Sequence, residues 1–190
     1  QITLPFPSVG ATENIMMAAT IAKGKTIIEN AAKEPEISDL ASCLNKMGAR
    51  IKIEKNGIIK IIGVTKLTKA NHKIMSDRIV AGTYVIAAVM LNKNFEVKEI
   101  ESKHLKALTS SLKQMGANLK IRKNSIQILK STNLNGIKIQ TAPYPGFPTD
   151  LQAQIMALMS LANGNSQIKE NIFENRFMHV PELNRLGAKI

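Results

Sequence analysis

A stretch rich in proline and glycine, residues 144–154, contains the acidic residue best placed for chemistry. Prolines and a glycine at positions 143–148 restrict the backbone before this acid, Asp150. Apolar residues at helical spacing begin at Leu151, which places Thr149 and Asp150 at a helix N-terminus. A carboxylate held by a stiff loop can accept a proton from a hydroxyl group. The alternative is that Thr149 and Asp150 only cap the helix.

A second candidate is the start of the helix predicted at residues 10–22, where Ser8, Val9 and Gly10 precede the apolar positions. The first turn of a helix has free N–H groups and a partial positive charge, which suit a phosphate group. The alternative is a serine that only caps the helix.

A third candidate is the segment 170–177, which mixes charged and apolar side chains without a regular period. This pattern predicts a loop after a strand. Arg176 within it stays charged and can bind phosphate or carboxylate through two donors. The alternative is a surface turn held by salt bridges.

Composition limits the class of protein. The chain has 190 residues, of which 44% are hydrophobic and only 4% aromatic, so we expect a sizeable aliphatic core. Its single cysteine, Cys43, lies in a helix predicted at 37–47, where we expect it to be packed. One cysteine excludes a disulfide framework and suits the cytoplasm. The three histidines lack metal-ligand spacing, so we predict no metal.

The charge and hydropathy patterns bear on partners. The net charge is +12, but the lysines are scattered singly and no arginine–aromatic motif accompanies them, so we expect no nucleic-acid partner. A basic surface can still attract a phosphorylated substrate. No apolar run approaches the roughly 18 residues that cross a bilayer, so we expect no membrane partner.

One pattern occurs three times along the chain, and each copy includes a similar sequence around Gly48, Gly116 or Gly187. The hydrophobic spacing before each glycine predicts a helix, a strand and a second helix. After the glycine, alternating residues and the turn signal Asn56-Gly57 predict a two-stranded hairpin. The predicted bounds are 10–22, 25–30, 37–47, 50–54 and 58–62 in the first copy, 79–91, 95–100, 105–115, 118–122 and 125–129 in the second, and 151–162, 166–171 and 181–186 in the third, with a further strand at 137–141.

The ends of the chain interrupt this pattern. The third copy stops at Ile190, where its hairpin should begin, and the residues from Gln1 have the pattern of the last strand of an earlier copy. We therefore expect the chain to be a piece of a longer protein or the product of a gene that has lost its end.

Repeat and motifs together resemble the enolpyruvyl transferase family along essentially the whole chain. The matching stretches are Pro7-Ser-Val-Gly-Ala-Thr12, Ile28-Glu-Asn-Ala-Ala-Lys-Glu-Pro-Glu36, Ser76-Asp-Arg-Ile79, Pro145-Gly-Phe-Pro-Thr-Asp-Leu-Gln-Ala-Gln154 and Ile172-Phe-Glu-Asn-Arg-Phe-Met-His179. The resemblance implies an inside-out α/β barrel of two domains, each with three repeats, and a substrate site between the domains. Residues 1–75 would be the last repeat of the first domain, and residues 76–190 two repeats of the second, the final one truncated.

The resemblance also implies the reaction and its residues. The enolpyruvyl group of phosphoenolpyruvate would pass to the 3′-hydroxyl of UDP-N-acetylglucosamine with release of phosphate, and no cofactor would be needed. Asp150 would be the catalytic base and would bind the reacting hydroxyl, with Arg176 near the reacting centre. The residues expected to line the nucleotide-sugar pocket are Phe6, Pro7, Ser8, Val9, Gly10 and Ile172. Those expected between the domains or behind the site are Glu34, Asp77 and Arg78, and structural pairing would explain these three equally well.

Two other functions remain open at this stage. One is a non-catalytic basic binding module on the same repeat, and the other is an enolpyruvyl transferase with another hydroxyl acceptor. The family's loop acid and several of its arginines have no counterpart here, so the 190-residue chain alone is expected to be inactive or nearly so.

Overall fold

Three glycines end a helix in the same way, which ties the sequence repeat to a structural one. In the computed structural model, which describes residues 1–190, Gly48, Gly116 and Gly187 have φ angles of 100°, 99° and 96°. This left-handed conformation is open to glycine and strained for other residues. The residue after each glycine donates its N–H to a carbonyl of the preceding helix, and these bonds are Ala49 to Leu44, Ala117 to Leu112 and Ala188 to Leu183, at 2.9–3.0 Å.

Replacing Gly48 by Ala is expected to lower the free energy of unfolding by about 1–2 kcal/mol, because a Cβ strains the left-handed backbone. No atom lies within 4 Å of the added carbon, so crowding contributes nothing. Gly10→Ala is the matched control, since its surroundings are equally open and its φ is not left-handed. It should leave stability unchanged or raise it by up to about 1 kcal/mol. Urea unfolding measures both, and equal effects would contradict the argument.

Gln1–Met75 form the first of two compact units. In chain order the elements of this N-terminal unit are β1 (Ile2–Thr3), α1 (Val9–Ala19), β2 (Lys25–Glu29), α2 (Pro35–Lys46), β3 (Arg50–Ile53) and β4 (Ile59–Ile62). The sheet order is β1-β2-β4-β3, with β1 parallel to β2 and the other pairs antiparallel. Side chains of both helices and of the sheet form an aliphatic core, whose least exposed large members are Met16, Ile28, Ile37, Ile59 and Ile61.

Ser76–Ile190 form the second, C-terminal unit. Its elements are α3 (Arg78–Met90), β5 (Phe95–Lys98), α4 (Lys106–Gln114), β6 (Asn118–Arg122), β7 (Ser125–Leu129), β8 (Lys138–Gln140), α5 (Gln152–Met159), β9 (Gln167–Lys169) and α6 (Val180–Arg185). Short 3-10 turns, Ser102–Leu105 and Thr149–Leu151, precede α4 and α5. One antiparallel sheet has the order β5-β7-β6, and β8 pairs with β9 in parallel. Helices α3 and α5 pack against each other in an aliphatic core.

Helices, strands and hairpins occur in the predicted order, but some end early. The strands predicted at 25–30 and 95–100 stop at Glu29 and Lys98. The cause is the same in both, because Asn30 and Glu99 take left-handed φ angles of 55° and 58°, which extended backbone cannot include. None of the six α-helices combines the length and apolarity needed to cross a bilayer.

Candidate active site

Residues 141–147 fold back on themselves before the acidic turn. Thr141 and Phe147 form an isolated bridge, and Ala142 N–H donates to the Phe147 carbonyl at 3.0 Å. A Cβ on Gly146 would lie 2.6 Å from the Cβ of Ala142, so only glycine fits this closed loop. Phe147 is buried in the core of the C-terminal unit, and the loop is therefore fixed from inside.

Asp150 lies in the 3-10 turn Thr149–Leu151 and does not cap the following helix. The N-cap of α5 is Leu151, and neither the 3-10 turn nor α5 has a side-chain capping bond, so the capping interpretation of Thr149 and Asp150 is wrong. The next residue, Leu151, is fully buried in the core. A buried neighbour on one side and a rigid loop on the other hold the acid on the surface.

The carboxylate of Asp150 pairs with Arg176, whose Nη2 donates to Oδ1 at 2.8 Å. The Asp150 side chain is 54% exposed and that of Arg176 35% exposed, so both can still reach a ligand. The guanidinium carbon lies 5.0 Å from the ring centre of Phe173, close enough for a cation–π interaction. A salt bridge therefore connects the loop predicted at 170–177 to the turn that contains Asp150. Its two members are the residues expected to take part in chemistry.

Glu170 bonds to residues near both of these groups, and the sequence did not identify it as a site residue. Its carboxylate accepts four hydrogen bonds, from the hydroxyls of Thr141 and Thr149 at 2.9 Å each, and from the N–H groups of Ile172 at 2.8 Å and Phe173 at 3.3 Å. Of the hydroxyl donors, Thr141 directly follows β8 and Thr149 belongs to the 3-10 turn that contains Asp150. Both N–H donors belong to the loop that leads to Arg176. The side chain of Glu170 thus connects three segments by hydrogen bonds.

A fall in pH is expected to weaken the hydrogen bonds by which Glu170 connects these three segments. Burial raises the pKa of Glu170, but hydrogen bonds from Ile172, Thr141, Thr149 and Phe173 outweigh it, and the net pKa is lowered from 4.5. A lowered folded-state pKa contributes stability that is present above the unfolded-state value and is lost as the pH falls through the folded-state value. Thermal unfolding of wild type and Glu170→Gln is therefore expected to differ most near pH 7, and the difference should shrink below pH 4.5. A difference that is constant from pH 7 to pH 3 would contradict this.

The phosphate-binding site predicted in the N-terminal unit is the start of α1, which a serine caps. Ser8 is the N-cap of α1, and its hydroxyl accepts from Ala11 N–H at 3.3 Å. The N–H groups of Val9 and Gly10 have no acceptor within the helix, as for every first helical turn. Gly10 is exposed, and no atom lies within 4 Å of a Cβ built on it. The helix start therefore has both a serine cap and open space beside unsatisfied donors.

Other predicted pocket residues are accessible to different degrees. Phe6 is 44% exposed, while Pro7 next to it is half-buried. Ile172 is half-buried in the C-terminal unit, and its backbone is fixed by Glu170. The structure thus brings Asp150 and Arg176 together directly and connects Ile172 to them through Glu170.

The residues expected between the domains or behind the site contact residues of their own unit or lie beside their own helix. These residues are Asp77, Arg78 and Glu34. Asp77 caps α3, since its carboxylate accepts from the N–H groups of Ile79 at 2.7 Å and Val80 at 3.0 Å. The Arg78 guanidinium carbon lies 5.8 Å from the ring centre of Tyr144, in the closed loop described above. Glu34 is buried just before α2, where its side chain makes no capping bond.

The cysteine and the histidines have different surroundings. Cys43 is half-buried within α2. His72 pairs with Asp39 at 3.1 Å. Burial and the charge of Arg176 lower the pKa of His179. No group of three His, Cys, Asp or Glu side chains is arranged to hold a metal ion.

Known proteins match this chain along its whole length. The family model for EPSP synthase (3-phosphoshikimate 1-carboxyvinyltransferase) matches residues 1–190. Proteins named UDP-N-acetylglucosamine 1-carboxyvinyltransferase from Halothermothrix orenii and Finegoldia magna are 53% and 50% identical to the chain over its full length. The chain covers 46% and 45% of those proteins and so spans about half the length of the curated relatives it matches.

Solved structures resemble the chain in fold. The enolpyruvyl transferase NikO from Streptomyces tendae has a TM-score of 0.82 at 21% identity, over 97% of this chain and 44% of its own. EPSP synthase from Acinetobacter baumannii has a TM-score of 0.60 at 24% identity, over 88% of this chain and 39% of its own. These likenesses confirm the predicted α/β fold class.

Proposed function

Because the chain belongs to the EPSP synthase family, we propose that it is part of an enzyme that transfers the enolpyruvyl group of phosphoenolpyruvate to the 3′-hydroxyl of UDP-N-acetylglucosamine and releases phosphate. That reaction is the first committed step of peptidoglycan synthesis. The name of the relatives at 50–53% identity supports this acceptor. A single cysteine suits a reducing compartment, which supports a cytoplasmic location.

The observation that carries the proposal is the pair Asp150–Arg176. A sugar hydroxyl is a weak nucleophile until a base removes its proton, and the exposed carboxylate of Asp150 has the chemistry for this step. We assign Asp150 as the base that accepts the proton of the 3′-hydroxyl when its oxygen attacks C2 of phosphoenolpyruvate.

Arg176 has a different part in the same step. Its guanidinium keeps its positive charge and offers several N–H donors, of which one binds Asp150. The remaining donors suit the phosphate or carboxylate of phosphoenolpyruvate. The arginine would then hold an anionic substrate beside the base and stabilise negative charge as the phosphate leaves.

We propose contacts with the nucleotide sugar within each unit, considered separately. Phe6 offers an exposed ring, and the start of α1 at Ser8, Val9 and Gly10 offers backbone donors for a phosphate oxygen. Ile172 offers an apolar side chain in the loop that leads to Arg176. Apolar, polar and anion-binding contacts of these kinds are those that a uridine diphosphate sugar requires.

The proposal is tested with a protein of the relatives' full length that contains residues 1–190. Phosphate release that requires both phosphoenolpyruvate and UDP-N-acetylglucosamine is the expected result, and the 190-residue chain alone should release little or none. A folded full-length protein without this activity would overturn the proposal. Turnover with a different hydroxyl acceptor would replace the substrate, and salt-dependent binding to DNA without any response to the nucleotide sugar would favour a basic binding module.

A further inference from the structure

Glu170 is a half-buried carboxylate at the centre of a hydrogen-bond network that leads towards the base and towards the arginine by separate routes. Thr149, one of its hydroxyl donors, directly precedes Asp150 in the 3-10 turn. Its backbone donors, Ile172 and Phe173, begin the loop that ends at Arg176. Phe173 also lies beneath the guanidinium of Arg176. The carboxylate therefore bonds to the residue before Asp150 and to two residues of the Arg176 loop, and it makes no hydrogen bond to Asp150 or Arg176.

We propose that Glu170 is a positioning residue that holds the Asp150 turn and the Arg176 loop at the separation the reaction needs. The proposal rests on the proposed function, because it gives Glu170 a role in that same transfer. Glu170 does not touch the reacting groups in this assignment, and its effect on them passes through Thr149 on one side and through Ile172 and Phe173 on the other.

The Asp150–Arg176 pair needs such support. Both side chains are partly exposed, and an exposed ion pair is too weak to fix two segments by itself. Four hydrogen bonds to one carboxylate hold the segments more firmly, because hydrogen bonds to a charged acceptor are stronger than those between neutral groups. A displacement of about 1 Å between reacting groups can lower a rate about 100-fold.

The bond pattern also predicts which substitutions are tolerated. Oε1 of Glu170 accepts from Thr141, Ile172 and Phe173, whereas Oε2 accepts only from Thr149. In Glu170→Gln the amide oxygen can replace Oε1, and the amide nitrogen can donate to the Thr149 hydroxyl, which also accepts. Glu170→Gln should therefore keep most of the geometry, and Glu170→Ala should lose all of it.

The experiment measures kcat for phosphate release, KM for UDP-N-acetylglucosamine and thermal stability in the full-length protein. Glu170→Ala is expected to lower kcat about 100-fold, and Glu170→Gln to restore kcat to within about 10-fold of wild type. Thr149→Val removes only the route to Asp150, so it should lower kcat and leave KM unchanged. The matched control is Thr109→Val, which removes a threonine hydroxyl bond of 3.2 Å inside α4 and should leave kcat unchanged.

A double-mutant cycle separates positioning from loss of stability. If Thr149 acts through Glu170, Thr149→Val should have no further effect on kcat in the Glu170→Ala background. Wild-type kcat in Glu170→Ala, or additive effects in the cycle, would overturn the positioning role while the proposed function stands. If Glu170→Ala does not fold, wild-type kcat in a folded Thr149→Val would overturn it. A wild-type protein with no transfer activity would overturn the proposed function and this role with it.

Discussion

Asp150→Asn is expected to lower kcat for phosphate release about 10²- to 10⁴-fold, which is the contribution of a general base. The amide has the shape of the carboxylate but cannot take the proton of the 3′-hydroxyl. Folding should be little affected, because the bond lost to Arg176 joins two partly exposed side chains. Phosphate release by the full-length protein, with thermal unfolding beside it, measures both effects.

The pair Glu182–Arg185 in α6 offers a control of the same kind. Its Nη1–Oε2 distance is 2.9 Å, and both side chains are more exposed than those of Asp150 and Arg176. Glu182→Gln removes an equivalent carboxylate from the same unit and should leave kcat at the wild-type level. Equal losses in Asp150→Asn and Glu182→Gln, or a wild-type kcat in Asp150→Asn, would mean that Asp150 is not the base.

Arg176→Ala is expected to lower kcat/KM for phosphoenolpyruvate about 10²- to 10³-fold, the effect of removing a donor that stabilises developing charge. Arg176→Lys keeps the positive charge but loses the planar fork and its fit over Phe173, so it should recover only part of the activity. Initial rates at varied phosphoenolpyruvate, with the nucleotide sugar saturating, give the comparison.

Arg185→Ala is the matched control for this second prediction, since it removes an arginine from the Glu182 pair. It is expected to leave the kinetics for phosphoenolpyruvate unchanged. If Arg176→Lys were fully active, charge alone would explain the role of Arg176, and the two-donor argument would be wrong. If Arg176→Ala were fully active, Arg176 would only hold the loop.

Local sequence signals predicted most of the fold because the forces behind them are local. Apolar residues at helical spacing and the Asn56-Gly57 turn identify a helix or a hairpin within a few residues. The strand ends were less predictable, because Asn30 and Glu99 adopt left-handed angles. Asn30 donates its amide to the Leu4 carbonyl, a bond that spans 26 positions of sequence. A prediction from neighbouring residues does not include such a bond.

Some residues of the candidate site could also be predicted from neighbouring residues, and others could not. Asp150 could be found because prolines, glycine and helix onset surround it within one short stretch. Glu170 could not, because its hydroxyl partners are 29 and 21 positions away, at the end of one strand and in the acidic turn. A glutamate at the end of a short strand has no pattern of its own. The structure assigns its role by bringing three segments to one carboxylate.

The glycine turns at Gly48, Gly116 and Gly187 have a consequence for how freely the repeats can differ. Each turn is closed by backbone N–H and carbonyl groups, which every neighbouring residue supplies whatever its side chain. The hydrogen bonds of the turn therefore require one glycine and no particular side chain from the residues that form them. A chain built on such turns can keep its architecture while each copy acquires different surface chemistry, so that one carries Ser8 and another Asp150.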